Sequence, residues 1–476
     1  MKKGLILGLA CSAVLVAACS ADRLTVPNPN TATQEAAAGA LGAFQLQVTG
    51  VFRQLRNGRG AYITATARLG REGYIYTPND GRNTSHFLIG IAAGANRLDP
   101  AGFAVGVWAG PYGNLRDILV TKGAVESNTA LTTAQRSAAR GVLRTIEALE
   151  LMYVISTRDS LGAVTTLNAD PAALAPFASR TETYTFILGA LDAAYAELQA
   201  GGTTFPFTLH AGFAGFTTPA TFGQFNRALA ARAAAHFATS GGGTAAWTRA
   251  AAAISQSFLN RSATTAGDMN RGVYHVYSLG TGDAANGIDR IGNQDFLVHP
   301  SYTTDAQLKA DLTRDNRYLS KVSVLATARN APQALGIPTN LAMNVYPTQS
   351  TSVPIIRNEE LVLLDAEIRL ANADRVGAIQ NINAVRTNIG GLPATTVTIG
   401  SPLADIETAI LYEKRFSLLA EGHRWVDMRR YGRLATLPRD ILTGITAHFV
   451  ARVMPLPQAE CLSRVGQTGA LAGPGC

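Results

Sequence analysis

Long stretches in which apolar residues recur every three or four positions alternate along the chain with stretches where glycine and asparagine destroy that spacing. The first kind predicts helices, beginning with one from about Ala40 to Leu55 and continuing through "VWAGPYGNLRDILVTKGAVES", "AQRSAARGVLRTIEALELMYVIST" and "TYTFILGALDAAYAELQAG". In the last of these, Phe186, Leu188, Leu191, Ala194, Tyr195 and Leu198 form one predicted stripe. Two longer segments predict helix pairs. One starts near Pro219, breaks at Gly241 to Gly243 and resumes with Trp247, Ala251 and Ile254 on one side. The other turns at Asn372 to Asp374 and carries Ala378, Ile382 and Val385 on the inner face of its second helix. Small residues at such contact positions let helices approach closely. No fixed repeat period emerges, so irregular pairs separated by insertions are expected rather than a regular solenoid.

The second kind of stretch covers residues from about 56 to 106, read as loops, and 261–350, where short runs such as "GVYHVYSLG", "DFLVHPSY" and "KVSVLAT" predict strands in an irregular region. The fold class is therefore mainly α, a helix-pair scaffold with loop-rich insertions carrying short strands. The expected division is 40–260 helical, 261–350 loop-rich and 351–476 helical with a tail.

The N-terminus changes the picture. "MKKGLILGLACSAVLVAACS" has two lysines and then an apolar run too short to span a bilayer, the layout of a secretory signal over residues 1–18. The run ends in Val16-Ala17-Ala18-Cys19, which resembles the lipobox of bacterial lipoproteins. That resemblance implies that Cys19 becomes an acylated first residue, followed by an extended tether over 19–39 with Pro27 and Pro29. Removal of the signal and acylation of Cys19 leave Cys461 and Cys476, which in an exported chain suggest a disulfide closing a C-terminal loop, with two free thiols the alternative. The formal charge of +8 falls to about +6 once Lys2 and Lys3 are removed, and the cations are scattered, so nucleic acid is not an expected partner.

The densest charged and aromatic patch is "LYEKRFSLLAEGHRWVDMRRYG". Leu411, Leu418, Trp425 and Met428 predict an apolar stripe, with Glu421–Arg424 and Asp427–Arg430 spaced to pair on a helix surface and Gly422 interrupting it. The residues Glu413, Arg415, Leu418, Glu421, Gly422, Arg424, Asp427, Met428 and Arg430 carry a pattern that resembles the C-terminal signature of the SusD/RagB family of outer-membrane lipoproteins. "RNEELVLLDAEIRLAN" is similar to a further family stretch at Arg357, Glu360, Leu363, Ala366 and Glu367, as are "DNR" at Asp315 to Arg317 and "MPLPQAE" at Met454 to Glu460. "AARGVLRTIEALELMYVI" resembles a family helix in the N-terminal half, with Thr145 in place of the usual alanine.

The resemblance implies a tetratricopeptide-like scaffold in which the signature patch is a strut. It also implies a surface lipoprotein of the outer membrane that captures a nutrient, glycan or peptide, and delivers it to a SusC-like TonB-dependent transporter. No cofactor, metal site or catalytic chemistry is expected, and H-E-x-x-H, G-x-S-x-G and Walker motifs are missing from the sequence. A helical scaffold that assembles partner proteins without a small ligand is the competing reading. For a glycan, flat aromatic faces with amides and charged groups beside them are needed. The loop "REGYIYTPNDGRN" offers Tyr74, Tyr76, Asn79, Asp80 and Arg82, and "GVYHVYS" offers Tyr274 and Tyr277. Trp108, Trp247 and Trp425 lie in helical patterns and are expected in the core.

Overall fold

A computed structural model describes residues 40–77, 79–292, 294–329 and 337–476. The signal, Cys19 and the tether lie outside the described residues. The N-terminal half is built from α1 (Leu41–Gln54), α2 (Arg59–Leu69), α3 (Arg82–Leu88), α4 (Ala109–Ser127), α5 (Thr133–Arg158), α6 (Arg180–Gln199), α7 (Pro219–Phe237) and α8 (Gly243–Ser255). Helices α4 to α8 stack as successive antiparallel neighbours over one large core that includes Phe44, Leu149, Leu191, Phe213 and Phe225. The starts of α5, α6 and α7 are fixed by capping boxes at Thr132, Ser179 and Thr218, whose side chains accept the N–H three residues on. The buried stripe of α6 runs through Tyr184, Ile187, Leu188, Leu191, Ala194 and Leu198, so Phe186 falls beside the stripe predicted for it.

The C-terminal half contains α9 (Asn358–Ala371), α10 (Arg375–Asn388), α11 (Leu403–Ser417) and α12 (Arg424–Arg430). Between α9 and α10 the chain turns through Ala373 at φ 66, and Asp374 caps α10 by accepting the Gly377 N–H at 2.8 Å. Ala378, Ile382 and Val385 are fully buried, as the spacing predicts.

Among the described residues, six short strands join these helices: β1 (Gly73–Ile75), β2 (Gly272–His275), β3 (Phe296–Val298), β4 (Val322–Arg329), β5 (Thr339–Met343) and β6 (Val353–Arg357). They form an antiparallel sheet in the order β1-β3-β5-β4 and a separate β2-β6 ribbon with a bulge after Val273. The sheet draws β1 from far upstream, so the loop-rich region and the residues before α3 make one layer.

Helix α2 occupies a stretch read as loop. Tyr62 to Leu69 are all buried, so the helix has no solvent face and no amphipathic period to reveal it. Its threonines are satisfied internally, Thr64 donating to Gly60 O at 2.9 Å and Thr66 to Tyr62 O at 2.7 Å.

The tail packs back on the N-terminal half. Cys461 and Cys476 are joined by a disulfide, Arg464 donates to Ala175 O at 3.1 Å, and the Phe177 N–H donates to Ala470 O at 2.7 Å.

Candidate functional site

The signature patch folds as α11, a break and α12, and its charges turn inward. Lys414 pairs with Glu367 at 2.7 Å and Asp427 at 2.8 Å, and Arg430 pairs with the same two carboxylates, its Nε lying 2.8 Å from Asp427. Burial alone would raise the Asp427 carboxyl, but Lys414 and Arg430 outweigh it and hold the group well below the usual range. Glu413 bridges Arg317 at 2.6 Å and Arg386 at 3.0 Å, and Arg415 reaches Asp305 at 2.6 Å. The predicted Asp427–Arg430 pair is present, but Glu421 and Arg424 do not pair. The chain turns at Gly422, φ 88, so the three-residue helical spacing is lost there. Glu421 instead pairs with Arg357 at 2.8 Å, and Arg424 donates to Gly70 O at 3.0 Å. These side chains tie α9, α11, α12 and the end of α2 together and leave nothing open to a ligand.

The predicted ligand residues separate into four places. Tyr74 and Tyr76 point to one face of β1 with the two-residue period of a strand, and that face is the sheet core. Tyr74 is 0% exposed and donates to Asp440 at 2.8 Å, with the His299 ring edge-on at 5.3 Å; Tyr76 is 2% exposed and donates to Ile337 O at 2.8 Å. Neither ring can receive a sugar. Tyr274 is half-buried and its hydroxyl donates to Asn270 O. Asn79, Asp80 and Arg82 lie in an exposed turn, where Asp80 accepts from Arg82 Nε at 2.8 Å and Nη2 at 2.9 Å. That pairing holds the Asp80 carboxyl below its ordinary range. The Arg82 guanidinium stands 5.6 Å from the ring of Phe103, an exposed aromatic that the sequence reading missed.

Tyr277 is the predicted residue that lines a surface groove of about 830 Å³. One wall is the end of α1 with Arg53 and Gln54, then the connecting turn and the start of α2. The facing wall is Tyr277 with Ala284, Ala285, Gly287 and Ile288, and Ile75 and Gly106 also border the groove. Gly58 makes the sharp turn between α1 and α2 at φ 77, a conformation that costs other residues about 1–2 kcal/mol. Arg56 holds the walls together: Nη1 donates to Val276 O at 2.5 Å, Nη2 pairs with Asp283 at 2.5 Å, and the guanidinium stands 5.8 Å from the Tyr277 ring centre. Burial pushes the Tyr277 phenol up to about 12, so it stays neutral.

The polar groups around this groove are unspent. Among the described residues, the side chains of Arg53, Gln54 and Asn57 and the Tyr277 hydroxyl make no hydrogen bond or ion pair. Sequence reasoning missed the first three. The signal was "RQLRNGRG", a run of arginine, amide and glycine between two helices. Behind the groove, the opposite side of α2 borders an interior cavity of about 40 Å³. There Arg59 stands 3.6 Å from the Tyr153 ring centre and pairs with buried Glu150 at 2.8 Å. Tyr62 donates to Gly422 O at 3.1 Å, so the strut reaches the underside of the groove.

Residues 307–463 match the sequence model of the SusD family. The fold is similar to that of surface glycan-binding protein A from Bacteroides uniformis, TM-score 0.67 and 14% identity, covering 91% of this chain and 100% of that one. It is similar also to surface glycan-binding protein A from Bacteroides thetaiotaomicron, solved in complex with laminarihexaose, TM-score 0.65, 12% identity, 90% and 98% covered. A SusD superfamily protein from Bacteroides vulgatus gives a TM-score of 0.65 at 15% identity, with 89% and 97% covered. No curated protein matches the sequence.

Proposed function

From a chain that is SusD-like, by sequence over residues 307–463 and by fold over nearly all of its described length, we propose that it is a binding protein that captures a glycan. The proposed site is the groove around Tyr277, and the proposed destination is a SusC-like TonB-dependent transporter of the outer membrane. The observation that carries this reading is the groove itself, where an aromatic ring and three polar side chains without hydrogen-bond partners among the described residues face one open space. Stacking on the ring and hydrogen bonds to sugar hydroxyls are what such a surface supplies.

The open shape favours a glycan over a peptide. The interior cavity beneath it, at about 40 Å³, is far too small to take a peptide. The arrangement supports binding rather than chemistry, because the buried carboxylates are engaged by arginine and lysine in the strut. Among the described residues no helix is long and apolar enough to cross a membrane. Acylation at Cys19 is the proposed attachment to the outer membrane, with the protein facing outward.

The test is calorimetry of the chain lacking residues up to Cys19 against soluble polysaccharides, oligosaccharides and peptide mixtures. Saturable glycan binding that is weakened at least tenfold in Tyr277→Ala supports the groove. Binding of peptides alone, or glycan binding untouched by Tyr277→Ala, overturns it. Recovery of a large β-barrel receptor with the acylated protein from membranes tests the delivery step, and recovery of assembly components instead favours the scaffold reading.

A further inference from the structure

Resting on the reading of the groove as the ligand site, we propose that its ligand is an acidic glycan, one whose sugar units carry carboxylates. Arg53 and Arg56 line the groove, and among its lining residues there is no aspartate or glutamate. The two arginines differ. Arg56 is spent on Val276 O and on Asp283 just behind the wall. Arg53, one turn earlier on α1, is exposed and carries no counter-ion among the described residues. The groove therefore holds one uncompensated guanidinium, whose planar fork of donors matches a carboxylate better than it matches a hydroxyl.

The neighbouring groups are donors as well. Asn57 and Gln54 offer free amides. The N–H groups of Gly60 and Ala61 in the first turn of α2 take no acceptor among the described residues, and Gly58 at its N-cap has no side chain to offer one. That turn has no acidic residue and borders the groove, so its exposed N–H groups add to the positive side of the balance. Tyr277 supplies the flat face. A neutral glycan would use the ring and the amides and leave the charge of Arg53 idle, whereas a uronate-type unit would use all three.

The experiment measures binding of the purified chain to three acidic probes, polygalacturonate, alginate and glucuronate-substituted xylan. Each is paired with its carboxyl-reduced form, and laminarihexaose serves as a neutral reference. At least one acidic probe is expected to bind about tenfold or more tightly than its reduced form, the range of one charge-assisted contact, and to weaken as salt rises. In Arg53→Gln that difference is expected to vanish, the acidic form binding no more tightly than its reduced form. In Tyr277→Ala both forms weaken. Equal binding of each pair, a preference for the reduced forms, or no binding of any acidic probe overturns the proposal. If laminarihexaose or a reduced form still binds and still depends on Tyr277, the groove stands and only its charge preference falls. Acidic binding that survives both substitutions overturns the groove itself.

Discussion

Two regions of this molecule use the same kinds of side chain to opposite ends. Around α9, α11 and α12, arginines, lysine and carboxylates are buried and closed on one another, as in the square of Lys414, Arg430, Glu367 and Asp427. At the groove, the side chains of Arg53, Asn57 and Gln54 and the Tyr277 hydroxyl are left without hydrogen-bond partners among the described residues. Density of charge therefore does not mark the proposed binding site. What distinguishes the groove is that its polar groups are unsatisfied and reachable, and the strut underneath holds them in place through Tyr62 and Gly422.

The largest expected effect comes from breaking the strut. Asp427→Ala leaves Lys414 and Arg430 buried with one carboxylate between them, and should cost about 3–5 kcal/mol in chemical denaturation. Gly422→Ala comes next. A Cβ there would lie 2.3 Å from the Tyr62 ring at a backbone φ of 88, and strain plus overpacking should cost about 2–4 kcal/mol. Because Tyr62 lies behind the groove, this variant should also weaken glycan binding, which calorimetry on its folded fraction checks.

The third test is a pH dependence. Glu72 is fully buried, accepts from Tyr302 at 3.2 Å and from the Ala420 N–H at 3.3 Å, and burial raises its carboxyl to about 7. The folded state then binds the proton more tightly than the unfolded state. Stability falls as pH rises from the ordinary carboxylate value near 4.5 to about 7, by as much as about 3 kcal/mol, and is level above that. In Glu72→Gln this slope should disappear, as seen in unfolding free energies measured across the same window. The smallest effect belongs to Arg53→Gln, which should change stability by less than about 0.5 kcal/mol while altering ligand preference. A large loss of stability there would erase the contrast between the two regions.

The second helix of each pair, α8 and α10, was legible because it has one buried and one exposed face, as Ala378, Ile382 and Val385 illustrate; α7 and α9 are buried on nearly every side and were marked by their length and by the turn that follows each. Helix α2 was illegible because it is buried on every side, and β1 because three residues carry too little alternation to separate from a loop. The signature patch could be read as a strut from its pattern. Its partners could not, since Arg317, Arg386 and Glu367 lie far away in sequence. Tyrosine content had put Tyr277, which lines the proposed groove, among the candidates. Sequence alone had no way to separate that ring from Tyr74 and Tyr76, which differ from it in burial and not in kind. Arg53 looked like any helix-terminal arginine until the structure showed that no carboxylate among the described residues compensates it.

Three side chains between residues 62 and 72 take partners from the far end of the chain: Tyr62 from Gly422, Arg71 from Phe449 and Pro438, and Glu72 from Ala420. During synthesis these early residues emerge hundreds of positions ahead of the groups that satisfy them, which at roughly 5–20 residues per second is a delay of tens of seconds. Until the last quarter of the chain arrives, Tyr62, Arg71 and Glu72 lack these partners, and pairings so distant in sequence form slowly. The wall of the groove is thus among the first parts of the protein to be made and among the last to become native.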